Sequence, residues 1–171
     1  AHQIVAGILT FVALALDALA IPAQTLVAEA LGQGDGAAAA EINRRVVRLT
    51  VWCAATAGAA VAALSPVLPA VFTPDDAVSS RAAAALVVLG LAVLVPGGIA
   101  YAIDGSLIGA GDYRFLGRAA LAYTIVLIPL AVVILRWPDV GIAGIWAGVL
   151  LWTVLRATAN HVRTRRLLPT G

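Results

Sequence analysis

Residues 4–28 read IVAGILTFVALALDALAIPAQTLVA, an apolar run whose one charged residue, Asp17, stands at its middle. A helix that crosses a membrane needs about 20 mostly apolar residues, because the hydrocarbon core is about 30 Å thick and each helical residue rises about 1.5 Å. The run shows no period-two alternation, which would indicate a strand. It therefore predicts a transmembrane helix with a carboxylate near its centre.

Four more stretches of the same character follow, at 46–71, 82–107, 115–135 and 140–159. Of the 171 residues, 62% are hydrophobic and 12% are charged, whereas soluble domains are about 45–50% apolar and about 25% charged. The mean hydropathy is +1.00. This composition excludes both a water-soluble globule and a disordered chain. We expect an all-α, polytopic membrane helix bundle with five transmembrane helices, embedded in a lipid bilayer.

The arginines indicate an orientation, because positive residues accumulate at the cytoplasmic ends of spans. The chain has eleven arginines and no lysine, and nine of the arginines fall on one predicted side. These nine are Arg44, Arg45, Arg48, Arg114, Arg118, Arg156, Arg163, Arg165 and Arg166. Only Arg81 and Arg136 fall on the other side. The amino end is therefore predicted outside and the carboxyl end in the cytoplasm.

Short polar stretches separate the spans and are predicted to be helix boundaries. Two of them share a pattern, GQGD at 32–35 and GAGD at 109–112, in which glycine closes one helix and aspartate caps the next. In TPDD at 73–76, Thr73 is the expected N-cap and a proline takes the first helical position. RWPD at 136–139 forms the remaining turn.

Polar residues recur every seven positions in the first span, at Gln3, Thr10, Asp17 and Gln24. Seven residues are nearly two helical turns, so all four lie along one face. Such a face is directed towards a partner helix or a wet cavity, because lipid leaves polar groups unsatisfied. The pattern leaves open whether it forms a structural seam or lines a substrate or cation site.

A second carboxylate, Asp104, lies near the end of the third span, with Tyr101 three residues before it on the same face. Ionisable groups within spans are costly and often functional. Asp104 and Tyr101 are therefore candidates for binding a substrate or a cation. The alternative is that Asp104 only caps the glycine-rich corner that follows.

Helix-breaking residues interrupt three spans and are candidate hinges. A proline removes one backbone hydrogen bond and kinks the helix. In transporters such points often line the binding region. The candidates are Pro22, Pro96, Gly97, Gly98 and Pro129.

Residues for metal or thiol chemistry are scarce in the sequence. Cys53 is the only cysteine, and the two histidines, His2 and His161, are predicted at opposite membrane faces. We therefore expect no metal site, no organic cofactor and no nucleic-acid partner. The sequence contains no methionine and opens with Ala1, so we expect it to be a piece of a longer protein.

Several motifs, taken in order, resemble those of multidrug and toxic-compound extrusion (MATE) transporters, in particular the DNA-damage-inducible type. They are AHQI at 1–4, ALDALA at 15–20, ALGQGD at 30–35, LPAVFT at 68–73 and DGSLIGAGD at 104–112. The resemblance covers residues 1 to about 166.

The resemblance implies that the five spans are the eighth to twelfth helices of a twelve-helix carrier. They would form most of its C-terminal lobe, with the N-terminal lobe of the same transporter as their partner. Such carriers sit in the plasma membrane and expel small cationic or amphipathic compounds by alternating access, driven by a proton or sodium gradient. The best-known coupling carboxylate lies in the absent lobe. The acid of the tenth helix in another branch corresponds to a position near Gly97 rather than Asp104.

Other functions predict different features. A lipid-linked precursor flippase of the same superfamily would have an arginine-rich cavity, whereas the arginines here are predicted at the cytoplasmic rim. A structural, non-transporting membrane subunit would tolerate Asp17→Asn. A phosphatidyl-alcohol transferase would need further acids on the fourth span, which has none. We therefore expect a transporter and not an enzyme.

Overall fold

The computed structural model describes residues 1–137 and 140–168, and no strand occurs within these two ranges. Five helical segments are long and apolar enough to cross a membrane, as the sequence predicts. The all-α polytopic class is therefore confirmed. Pro138 and Asp139, which the sequence assigns to the fourth turn, lie outside the described residues, as do residues 169–171.

Within the described ranges, six α-helices and one π-helical turn build these five segments, and a 3₁₀ turn lies between the second and the third. The helices are α1 (His2–Gly32), α2 (Gly36–Leu64), α3 (Asp76–Ala92), α4 (Gly98–Gly109), α5 (Tyr113–Arg136) and α6 (Gly141–Leu167). A 3₁₀ turn, Leu68–Val71, follows α2, and a π-helical turn, Val93–Gly97, joins α3 to α4. The third predicted span is therefore the continuous helical segment Asp76–Gly109.

The second helix departs most from its expected bounds. It begins at Gly36 instead of residue 46 and ends at Leu64 instead of residue 71. The added amino-terminal turns are polar and contain helical ion pairs from Glu41 to Arg44 and Arg45. A prediction from hydropathy ends the helix where the polar residues begin. Ion pairs between residues three or four positions apart stabilise the helix beyond the apolar run.

The third segment occupies the centre of the bundle. Half of its most apolar window is buried, a larger share than in any other segment. Its α3 part packs on α2 and α6, and its α4 part packs on α1, α2 and α6. Leu86 and Leu89 of α3 are fully buried in a core with Leu16 of α1 and Trp146 of α6. Trp146 is 2% exposed, so its ring packs inside the bundle.

α5 is the outermost helix and packs mainly on α6. Large apolar side chains such as Leu121, Ile125 and Ile128 are exposed along it. A water-facing helix does not present such a surface, but a lipid-facing helix does.

The glycine-rich corners close α1 and α4 with left-handed glycines, Gly34 (φ 77°) and Gly111 (φ 72°), as predicted. Asp35 caps α2 by accepting a hydrogen bond from the Ala38 backbone N–H at 2.8 Å. The prediction of the same role for Asp112 is wrong, because its side chain makes no cap hydrogen bond. We call the membrane side that holds both corners and the last turns of α6 the arginine-rich end.

The predicted N-cap at Thr73 is also wrong. The third segment begins at Asp76, and its N-cap is Asp75, whose carboxylate accepts from the Val78 backbone N–H at 2.9 Å. The Thr73 hydroxyl instead accepts a hydrogen bond from the Asp75 backbone N–H. An aspartate caps as well as a threonine does, so the motif allowed two registers.

Candidate functional site

Glycines place α4 unusually close to α1. A Cβ atom added at Gly105 would run into the backbone carbonyl of Ala20, and one at Gly109 into that of Gln24. The two glycines are four residues apart and so lie on one face of α4. Small residues at this spacing let two membrane helices touch through their backbones. This contact fixes α4 against α1 and leaves Asp104, the residue before Gly105, available to another helix.

Asp104 is bound by α6. Arg156 Nη2 donates to Asp104 Oδ2, and Asn160 Nδ2 donates to Asp104 Oδ1. The side chains of Asp104 and Arg156 are only 18% and 20% exposed. A charge removed from water is tolerated when it is paired and its remaining oxygens are hydrogen-bonded, and both conditions hold here. Asp104 therefore joins two helices, and the alternative that it only caps the glycine-rich corner is wrong, because both of its carboxylate oxygens are bound by α6.

Two aromatic rings flank the arginine. The guanidinium carbon of Arg156 lies 5.0 Å from the ring centroid of Tyr101 and 5.0 Å from that of Trp152. These distances are within the range at which a cation is attracted to an aromatic face. Arg156 is therefore held by one carboxylate and by two rings.

Arg156 corrects the prediction from the arginine count. It was assigned to the cytoplasmic rim, yet it lies eleven residues before the end of α6, about three helical turns inside. The predicted span ended at residue 159, whereas α6 continues to Leu167. The Arg156 side chain is only 20% exposed, so it lies within the bundle and not on its surface.

The central acid of the first span lies near this cluster. Asp17 is half-buried on α1, about one turn before Ala20, and is therefore level with Tyr101, which lies one turn before Gly105 on α4. It has no hydrogen-bond partner among residues 1–137 and 140–168. Two of the predicted site residues, Tyr101 and Asp104, therefore contact Arg156, and Asp17 lies level with Tyr101 on the neighbouring helix.

The other members of the seven-residue stripe do not join this cluster. Gln3 and Thr10 are exposed, and the Thr10 hydroxyl donates to the Ala6 carbonyl of its own helix. Gln3 lines a separate, mainly apolar cavity of about 780 Å³ between α1 and α2. Gln24 is half-buried and contributes its backbone carbonyl to the contact with Gly109. The described part of the chain thus contains no hydrogen-bonded seam along the stripe.

The candidate hinges fall in two kinds of surroundings. Pro96 and Gly97 belong to the π-helical turn, and Gly98 begins α4 directly after it. A Cβ at Gly98 would lie 2.7 Å from the Val51 Cα, so this point is pressed against α2. Pro22 and Pro129 stand inside helices that continue past them.

Three residues of the cluster were missed from the sequence: Arg156 as an internal residue, and Asn160 and Trp152 as its neighbours. They stand four residues apart, at 152, 156 and 160, and therefore lie on one face of α6. This spacing is a signal that the sequence does contain. The described residues contain no group of three metal-ligating side chains. The chemistry that the cluster offers is the pairing of one carboxylate, Asp104, with a guanidinium and an amide.

Comparison with known proteins identifies the chain's relatives. The model of the MatE family matches residues 1–133. "Protein DETOXIFICATION 44, chloroplastic" of Arabidopsis thaliana is 31% identical over 163 residues, which are 95% of this chain and 30% of that relative. No solved structure matches. The chain belongs to the MatE family, the multidrug and toxic-compound extrusion proteins, whose members are transporters and not enzymes.

Proposed function

We propose that this chain is part of a secondary active efflux transporter that expels small cationic or amphipathic toxic compounds. Its five spans form most of the C-terminal lobe, and the N-terminal lobe of the same protein completes the transport path. Transport runs by alternating access and is driven by a proton or sodium gradient. Family membership supports this proposal, and so does the printed name of the Arabidopsis relative, of which the chain spans 30%.

One observation carries the proposal: Asp17 stands in the middle of a membrane span without a hydrogen-bond partner in the described chain, level with Tyr101, whose ring flanks the paired Arg156. A carboxylate at this depth is costly and is usually retained for a polar pathway. The cost is offset when a cation or a proton reaches the carboxylate. A carrier coupled to cations needs a group of this kind.

The orientation and location are parts of the same proposal. The arginine-rich end faces the cytoplasm, which places the carboxyl end of α6 there. We assign the protein to the plasma membrane and to the DNA-damage-inducible branch on the motifs of the sequence, whereas the printed name of the relative is chloroplastic. A cysteine-accessibility assay with residues introduced beside Asp35 and Asp75 distinguishes the two membrane sides.

The test of function is Asp17→Asn in the full-length transporter. We expect the efflux of a fluorescent organic cation from proteoliposomes to fall at least about tenfold, because the neutral amide cannot exchange a proton or pair with a cation. Efflux is measured under an imposed proton gradient and, separately, a sodium gradient. The dependence on each gradient identifies the coupling ion.

Glu29→Gln is the matched control, because Glu29 is an exposed acid on the same helix whose only side-chain partner in the described chain is Gln33. It removes one carboxylate from α1 without changing the interior. We expect efflux at the level of the unmodified protein. If Asp17→Asn also keeps full efflux at equal expression, Asp17 is a structural residue and the proposal fails.

A second function, transport of a lipid-linked anionic precursor, is favoured by one observation. A cavity of about 460 Å³ at the arginine-rich end is lined by Arg44, Arg165 and His161. Such a basic pocket between membrane helices suits an anionic lipid headgroup. Transfer of a fluorescent lipid-linked phosphate across proteoliposomes, lost in Arg165→Gln, would support this function in place of cation efflux.

A further inference from the structure

A further cavity adjoins the charged cluster, and none of its lining residues belongs to α1. It has a volume of about 240 Å³ and lies between α4, α5 and α6. Asp104, Arg156 and Asn160 form its polar wall, and Tyr123 of α5 and Trp152 form its aromatic walls. The volume suits a small molecule rather than a large drug.

Two buried polar atoms at this cavity lack hydrogen-bond partners in the described chain. Asn160 is 1% exposed, and its Nδ2 binds Asp104 while its Oδ1 has no partner. Tyr123 is 7% exposed, and its hydroxyl also has no partner. If the Asn160 amide were flipped, its oxygen would face the Asp104 carboxylate, and the two oxygens would repel each other. The amide nitrogen therefore faces Asp104, and the atom without a partner is the amide oxygen, which can only accept a hydrogen bond.

These atoms determine the chemistry of an occupant. The free amide oxygen accepts a hydrogen bond, and the tyrosine hydroxyl can accept one as well. The one cationic wall, Arg156, is already engaged by Asp104 and by two rings. A ligand that fits must therefore donate hydrogen bonds, and aromatic walls beside a carboxylate favour a donor that is also a cation.

Arg156 itself shows what such a cation would meet. Its guanidinium is a planar cation with N–H donors, it lies near two aromatic rings and it is bound to a carboxylate. The same arrangement is the usual recognition mode for an organic cation.

We propose that this cavity binds a small organic cation carrying N–H donors, with Asp104 as its counter-ion, and that Arg156 is the internal cation that the ligand displaces. Asn160 Oδ1 and the Tyr123 hydroxyl accept the remaining donors of the ligand. The inference rests on the proposed function, since it gives an exported cation one binding place. It is tested by equilibrium binding without a gradient, so its failure is distinct from a failure of efflux.

The experiment measures binding of phenylguanidine to the full-length protein in lipid nanodiscs by titration calorimetry. Arg156→Gln removes the competing cation, and we expect the affinity for phenylguanidine to rise at least about tenfold, as expected when a charge-assisted hydrogen bond becomes available to the ligand. The double variant Asp104→Asn with Arg156→Gln is expected to lose this gain. An affinity that does not rise in Arg156→Gln, or a gain that persists in the double variant, overturns the proposal.

Two matched controls test the hydrogen-bond acceptors and the sign of the charge. Phenyltrimethylammonium has the same ring and charge without N–H donors, so Tyr123→Phe should weaken phenylguanidine binding severalfold and leave phenyltrimethylammonium binding unchanged. Benzoate is an anion of similar size. We expect the unmodified protein to bind benzoate no more tightly than the Asp104→Asn variant does. Tight benzoate binding that Arg156→Gln abolishes would identify an anion site and overturn the proposal.

A folding defect in Arg156→Gln also gives a decisive outcome. If the variant is recovered as a monodisperse species only when phenylguanidine is present during purification, the added cation has replaced the arginine, which supports the proposal. If the variant cannot be recovered with or without phenylguanidine, while Arg163→Gln purifies normally, the cavity does not accept a free cation and the proposal is wrong.

Discussion

The two faces of α4 hold their neighbours by opposite means. Towards α1, Gly105 and Gly109 meet the backbone of Ala20 and Gln24 with no side chain between them. Towards α6, the contact is made by Asp104, the residue before Gly105. Its side chain binds the polar side chains of Arg156 and Asn160. The first contact depends on shape, and the second depends on charge.

This difference indicates which contact can change. A backbone-to-backbone contact has one arrangement, because closely packed atoms cannot shift without losing contact along the whole interface. A salt bridge between side chains, such as that of Asp104 with Arg156, can open or change partners while the helix backbones stay in place. We therefore interpret α1 and α4 as one rigid unit, and the link from α4 to α6 as the adjustable one.

The largest effect is expected for Arg156→Leu, which breaks the charged face. It leaves Asp104 buried without its cation, and breaking a buried pair in this way costs about 3–5 kcal/mol. The free energy of unfolding is measured by SDS titration of the full-length protein in mixed micelles. The double variant Asp104→Leu with Arg156→Leu removes both charges and is expected to recover most of the loss. If the double variant is no more stable than Arg156→Leu, the pairing does not account for the loss.

A smaller effect is expected for Gly105→Ala, which breaks the shape-dependent face. The new methyl group would overlap the Ala20 carbonyl, and overpacking of this kind costs about 1–3 kcal/mol. Gly117→Ala in α5 is the matched control, since a Cβ there meets nothing within 4 Å. The same unfolding titration compares the two variants. Equal stability of both would mean that α1 and α4 do not need the glycine contact.

The smallest effect is expected for Arg163→Gln at the arginine-rich end. Arg163 Nε donates to Asp112 Oδ2 at 2.6 Å, but its side chain is 35% exposed, so water and ions screen the pair. We expect a loss well below that of Arg156→Leu. Raising the salt concentration to about 1 M should remove this small loss but leave that of Arg156→Leu, because the screening length falls to about 3 Å only where ions have access. A salt-insensitive loss at Arg163 would remove the distinction between the two pairs.

The two glycine-rich corners show how far a local pattern predicts a role. GQGD and GAGD both give a left-handed glycine, because the φ of the glycine is a property of the local chain. The aspartates then differ: Asp35 caps α2, whereas Asp112 binds Arg163 of α6. The capping geometry is available to both, but Asp112 has an arginine within reach. A partner 51 residues away cannot be inferred from a four-residue motif.

The sequence alone determined the number of spans, their helical character and the presence of acids at membrane depth. These properties follow from the thickness of the bilayer and from the cost of unpaired polar groups in lipid. Both constraints apply to each segment by itself, so each segment can be judged without its neighbours. Only the tertiary structure decided that Asp104 is paired, that Arg156 is internal and that Asp17 is level with Tyr101, because these relations join α1, α4 and α6. The glycines of α4 set its approach to α1, whereas the pairing of Asp104 depends on the separate packing of α4 on α6.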